Sequence, residues 1–189
     1  MINLDKFKDF MDGDRLVMLT LRSKDGGTNN PDRAAKKKIS RSKEDFIRII
    51  NEFDSIRKTD ERIYSSVNKR SINKAIREFK LRQLEADYYD IESRNNFYFD
   101  LHNRWVSCFM SPHCRSETIF LIDIDDIIKK GSNWDISVID QYIQKIGVKE
   151  ILRYDTKNGV HILTEPFNPS LWNSEFGEIK KDALLLISF

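Results

Sequence analysis

Asp123 and Asp125 stand two residues apart at the end of the apolar run Phe120-Leu121-Ile122. On a strand, that spacing puts both carboxylates on one face. Two neighbouring carboxylates resist double ionisation unless a cation lies between them. Mg2+ and Mn2+ take hard oxygen ligands, and one or two carboxylates with phosphate oxygens suit them. The competing reading of Asp123-Ile124-Asp125 is an acidic turn that caps a helix. Asp126 follows, facing the other way or capping the next helix.

A second cluster is Thr156-Lys157-Asn158-Gly159-Val160-His161-Ile162. Gly159 permits a tight turn with exposed backbone N–H groups. Lys157 and those amides can hold a phosphate. His161 sits between apolar Val160 and Ile162, so on a strand it faces away from both. A lone histidine in such a strand also reads as a half-buried structural residue. Lys180-Lys181-Asp182 opens the last apolar run, where Asp182 is either a third carboxylate or an exposed acid at a strand start.

The elements that must position these groups can be read from periodicity. Residues 4–11 read as a short amphipathic helix, 15–21 as a strand, and the polar stretch 23–40 as a loop. Ser42 reads as an N-cap before a helix carrying Phe46, Ile49, Ile50 and Phe53. Residues 62–67 form a strand. Ser71 caps a helix with Ile72, Ala75, Ile76, Phe79 and Leu84 inward. Residues 88–110 are rich in aromatics, largely helical, and read as core. A strand at 118–124 carries the acidic pair, a helix follows at 136–146, and 150–154 with 160–164 form a hairpin. Leu171 and Trp172 pack under a Pro166/Pro169 loop, and 183–189 closes the chain as a buried strand. The order is α+β, a mainly antiparallel sheet with helices packed on it.

The chain has 189 residues with 40% hydrophobic composition, enough for one domain with a real core. No run resembles a membrane span or a signal peptide, so a cytoplasmic protein without a membrane partner is expected. Net charge is +2, but the basic charge is uneven. Between Arg22 and Arg48 there are nine Lys/Arg against four Asp/Glu, and between Arg57 and Arg82 nine against three. That distribution suits an anionic polymer, or simply a solvated face. Cys108, His113 and Cys114, with His102 in range, form a conceivable zinc set. Their C-x5-C spacing departs from that of structural zinc sites, which favours incidental thiols.

The order of strand with D-x-D, strand with a Gly-x-His turn, and acid near a last strand resembles the archaeo-eukaryotic primase superfamily, in its primase-polymerase core of phage or mobile-element type. Phe120 to Asp125, Thr156 to His161, and Asp182 carry the resemblance. Thr156 stands where the family pattern has serine, with one residue fewer before the histidine. The Arg62-Ile63-Tyr64-Ser65-Ser66-Val67 strand before a basic helix looks like the N-terminal unit of that core.

The length reads as a single domain over 1–189, with an N-terminal helix, strand and basic loop region at 1–56, and the resemblance, which spans roughly residues 60–189, implies an RRM-like catalytic core at 57–189. It implies a metal-dependent nucleotidyltransferase acting on DNA or RNA with nucleoside triphosphates. Asp123, Asp125 and Asp182 would hold Mg2+ or Mn2+, and these with His161 would be catalytic. Thr156, Lys157, Gly159, His161 and Arg153 would contact the nucleotide. Arg62, Lys69, Arg70, Lys74 and Arg77 would carry the template or primer backbone, and a replicative helicase is the implied protein partner. The chain's end just after the last strand leaves nucleotide binding better supported than independent priming. The alternatives are a non-catalytic nucleic-acid-binding relative and a metal-dependent nuclease.

Overall fold

The computed structural model describes residues 17–23, 35–125, 136–156 and 159–188. The expected helix at 4–11, Asp126 and Lys157 lie outside the described residues. The described elements are β1 (Val17–Ser23), β2 (Lys36–Ser40), α1 (Lys43–Ile56), β3 (Glu61–Ser66), α2 (Ile72–Tyr89), α3 (Ile91–Phe99), α4 (Leu101–Met110), β4 (Phe120–Asp125), α5 (Ile136–Lys145), β5 (Glu150–Asp155), β6 (Gly159–Thr164), β7 (Glu178–Lys180) and β8 (Leu184–Ser188). The class is α+β, with two antiparallel sheets rather than one. No helix among the described residues is long and apolar enough to cross a membrane.

The chain divides into two compact units, Met1–Glu117 with Leu184–Phe189, and Thr118–Ala183.

The first unit holds the sheet β2-β1-β3-β8. Ser42 caps α1, its hydroxyl accepting from the Asp45 amide at 3.2 Å. Glu44 and Asp45 add negative charge at the positive helix end. The α1 stripe Phe46, Ile49, Ile50 and Phe53 is buried as its spacing requires. Met18 of β1 and the half-buried Ile39 of β2 pack with Ala75, Val106, Phe109 and Cys114. The lysine run 36–38, expected as loop, is instead an edge strand paired to β1. Lysine has weak strand preference, but an edge tolerates it and gains a charged guard against further pairing.

The helical part departs from expectation. Ser71 does cap α2 through the Lys74 amide at 3.4 Å. Only Ala75 of α2 is buried, whereas Ile72, Ile76 and Leu84 are exposed. Phe97 and Phe109 are core, but Tyr88, Tyr89 and Phe99 face solvent. The cause is two breaks. Asp90 ends α2 and caps α3 through the Ser93 amide at 2.6 Å, and Asp100 separates α3 from α4. Each break re-aims the stripe, so the aromatics do not share one buried face.

The second unit holds the sheet β5-β6-β4-β7. β4 and β5 both run antiparallel to β6 and are linked through α5, which makes a split β-α-β with the hairpin partner in the middle. α5 ends at Gly147, at φ +66°, where the Val148 amide donates to the Ile143 carbonyl and the Gly147 amide to that of Gln144. Ile139 and Ile143 of α5 pack on Ile122, Ile124, Val160 and Ile162, with Trp172 and Phe176 closing the core. Strand alternation leaves Asp123, Asp125 and His161 on the opposite face.

Candidate functional site

Four residues face one another across the second sheet. Tyr154 of β5 lies opposite His161 of β6, His161 opposite Asp123 of β4, and Asp123 opposite Glu178 of β7. The apolar sequence of β4 puts Ile122 and Ile124 into the α5 core and thereby turns Asp123 to the other side. The Tyr154 hydroxyl is 2.6 Å from His161 Nδ1. His161 Nε2 is 2.9 Å from Asp123 Oδ1, with both side chains only 12% exposed. Lys180 Nζ lies 2.5 Å from Asp123 Oδ2 and 3.5 Å from Glu178 Oε2.

The Nε2–Oδ1 approach is short but not aligned as a hydrogen bond. Oδ1 is buried and accepts no hydrogen bond among the described residues. Burial alone would push the Asp123 carboxyl up, but His161 and Lys180 beside it prevail and hold it at about 2. Burial, followed by the Asp123 charge, pushes the Tyr154 hydroxyl far up, so it remains a donor. Burial disfavours the Lys180 ammonium, yet contact with Asp123 raises its pKa on balance. The charge of ionised Asp123 favours a proton on the nearer imidazole nitrogen. In the neutral imidazole the proton therefore sits on Nε2, and Nδ1 accepts from Tyr154.

Two glycines let the neighbouring backbone close on β4. A Cβ on Gly159 would lie 1.8 Å from the Ile124 carbonyl oxygen. One on Gly177 would lie 2.4 Å from the Asp123 carbonyl oxygen. The Trp172 indole N–H donates to the Gly177 carbonyl at 2.9 Å, fixing that segment. Gly159 thus serves close packing in the sheet.

The structure brings Asp123 and His161 together and places Asp125 on the same face, exposed at the strand end. Asp182 lies exposed in the turn that leads from β7 into β8. Among the described residues no group of three His, Cys, Asp or Glu is placed to hold a metal ion. The Thr156 amide donates to the Gly159 carbonyl at 2.8 Å and so closes the hairpin. Arg153 is on the opposite face from His161, paired in register with Ile162. There it bonds Asp140 at 2.6 Å and Glu150 at 2.7 Å, away from the Asp123 row.

The basic set of the first unit is largely engaged within it. The Arg70 guanidinium is buried and donates to the carbonyls of Met110 at 3.3 Å and Ser111 at 3.1 Å. A buried guanidinium cannot reach a nucleic-acid backbone, so Arg70 is a structural clamp. Lys69 pairs with Glu117 at 3.5 Å, and Lys74 donates to the Arg115 carbonyl at 2.7 Å. Arg62 is half-buried on β3, while Arg77 is exposed on α2. Cys108 and Cys114 are free and buried, their thiols pushed up chiefly by burial, and His102 and His113 are exposed.

Tyr154, Lys180 and Glu178 are site residues that the sequence reading passed over. Tyr154 was findable, because a hairpin turning between Asp155 and Gly159 sets Tyr154 opposite His161. Lys180 carried no such signal, since β7 pairs with β4 across a long connection. Comparison with known protein families, curated proteins and solved structures finds no match to this chain.

Proposed function

We propose that the Thr118–Ala183 unit carries a divalent-metal-dependent nucleotidyl-transfer site of primase-polymerase type, acting on DNA or RNA with nucleoside triphosphates. The observation that carries this reading is Asp123 Oδ1, a buried carboxylate oxygen 2.9 Å from His161 Nε2 that has no aligned hydrogen-bond donor among the described residues. Asp125 on the same face and His161 opposite complete the donor set. These hard oxygens fit Mg2+ or Mn2+. An RRM-like core is supported by the split β-α-β of β4, α5, β5 and β6, with β7 on the far edge.

Asp123 and Asp125 would hold the ions, which when bound neutralise a triphosphate and ease ionisation of an attacking hydroxyl. The chain's own residues prepare the rest. Tyr154 fixes the His161 ring, leaving the Nε2 proton beside Asp123, where it can be offered to a phosphate oxygen. Lys180 supplies the charge that balances Asp123, and its partial exposure lets it turn toward an anion. Buried Leu121 and Leu163, with Tyr154 nearby, limit water at this row.

Asp123→Asn with Asp125→Asn tests the reading by primer extension and by calorimetric titration of a nucleoside triphosphate with Mn2+. Loss of both incorporation and Mn2+-dependent triphosphate affinity is expected, with an unchanged circular dichroism spectrum. Wild-type extension by the double variant would sink the idea. One observation favours the non-catalytic alternative, since Lys180 already neutralises Asp123 Oδ2. That alternative expects no metal-dependent triphosphate affinity in the wild-type chain.

A further inference from the structure

The inner face of α2 is occupied. Phe79 meets Phe97 and Trp105 at 5.3 and 5.8 Å between ring centroids, Gln83 and Asp87 bond the Tyr98 hydroxyl, and Arg82 bonds Ser107. The outer face carries Leu81, Leu84 and Tyr88, which are 58%, 66% and 86% exposed. Their spacing of three and four residues aligns them in one stripe, with Arg77 one turn before. Large apolar side chains in a continuous exposed stripe mark an interaction surface.

Charge along α2 is divided. Lys74, Arg77 and Lys80 lie in its first half, where Glu78 is taken by Arg82. Its second half adds exposed Glu85, while Asp87 is turned to the Tyr98 hydroxyl and Arg82 to Glu78 and Ser107. We propose that this stripe is the interface of a two-fold homodimer in which α2 of one protomer packs antiparallel on α2 of its partner. Antiparallel packing sets Lys80 of one protomer beside Glu85 of its partner, whereas parallel packing sets Arg77 and Lys80 against their own copies. With the axis beside Arg82 and Gln83, Leu81 of one protomer meets Leu84 of its partner, and Arg77 lies over the Tyr88 ring. Both contacts occur twice. A nucleic-acid strand is disfavoured on the aromatic half, because exposed Glu85 repels phosphates there.

Sedimentation equilibrium of the full chain over a concentration series tests the proposal. A monomer–dimer equilibrium is expected, with Kd weakened roughly tenfold or more by Leu84→Glu. The exposed position keeps that variant folded, and circular dichroism checks it. Arg77→Cys and Tyr88→Cys chains should form a disulfide-linked dimer on oxidation only when mixed. In the antiparallel pair each new thiol is about 16 Å along the helix from its own copy. A monomer at every concentration overturns the proposal, as does a dimer indifferent to Leu84→Glu. Self-linking of Arg77→Cys alone would mean parallel packing and also overturns it. A monomeric chain whose single-stranded oligonucleotide binding disappears in Tyr88→Ala would assign the face to nucleic acid, again overturning it.

Discussion

The Tyr154 hydroxyl lies 2.6 Å from Nδ1 of His161, and the two rings meet nearly edge to face at 5.2 Å. With the hydroxyl donating to Nδ1, the proton of the neutral imidazole lies on Nε2, the nitrogen that faces Asp123. The contact also makes a tyrosine on a neighbouring strand the orienting group for the histidine.

Tyr154→Phe keeps the ring and deletes the hydroxyl. The His161 15N shifts should then move away from a pure Nε2–H tautomer. Stability should fall by about 1 kcal/mol, the usual net worth of such a bond. Unchanged 15N shifts would show that the hydroxyl does not set the tautomer.

Asp123 should register in acid unfolding. Its carboxyl sits at about 2, depressed from the ordinary 3.8. A depressed carboxylate stabilises the fold above its unfolded value, and that stability is lost as pH falls through the folded value. The gain is worth about 2 kcal/mol, present above about pH 4 and lost toward about pH 2. Urea denaturation of wild type and Asp123→Asn across that range should show their difference shrinking by that amount. Parallel curves would contradict the assignment.

Lys180 and a divalent cation would compete for the same carboxylate. Lys180→Gln should therefore tighten Mn2+ binding, by about tenfold for 1.4 kcal/mol of relieved competition. Calorimetric titration of Mn2+ alone reads this directly. Equal or weaker binding would mean that Lys180 does not compete with the ion.

Gly177→Ala should distort β4 at Asp123, because the new methyl meets a backbone oxygen that cannot give way. A loss of about 1–3 kcal/mol is expected from overpacking of this kind. Thermal unfolding, with the His161 15N shift as a local probe, would show it. An unperturbed His161 would mean that the strain is absorbed elsewhere.

Arg70→Ala and Arg77→Ala should separate structure from binding. The first removes a buried guanidinium from two carbonyls and should cost about 2 kcal/mol. The second, exposed on the single chain, should change the stability of the dilute monomer by less than about 0.5 kcal/mol. Reversal of that order in denaturant midpoints would contradict the burial described.

The strands around the site were legible because apolar alternation and one turn signature specify them. β4, β5, β6 and α5 all lie within a residue or two of where periodicity puts them. β2 was not legible, since three consecutive lysines read as solvent-facing loop until β1 offers its edge. Arg70 looked like a phosphate ligand because its carbonyl partners lie some forty residues away at Met110 and Ser111. The last strand was legible as a strand, but nothing local shows that β8 joins β3 rather than the sheet of the acidic pair.

The placement of β8 beside β3 governs how this protein is made. A ribosome delivers β1, β2 and β3 well before the strand that completes their sheet. Until the whole Thr118–Ala183 segment has emerged, β3 keeps an open hydrogen-bonding edge of the kind that recruits foreign strands. The first unit to be synthesised is thus the last to finish folding. Overexpression yield should depend on how quickly translation passes through residues 118–183, or on a chaperone that covers β3 meanwhile.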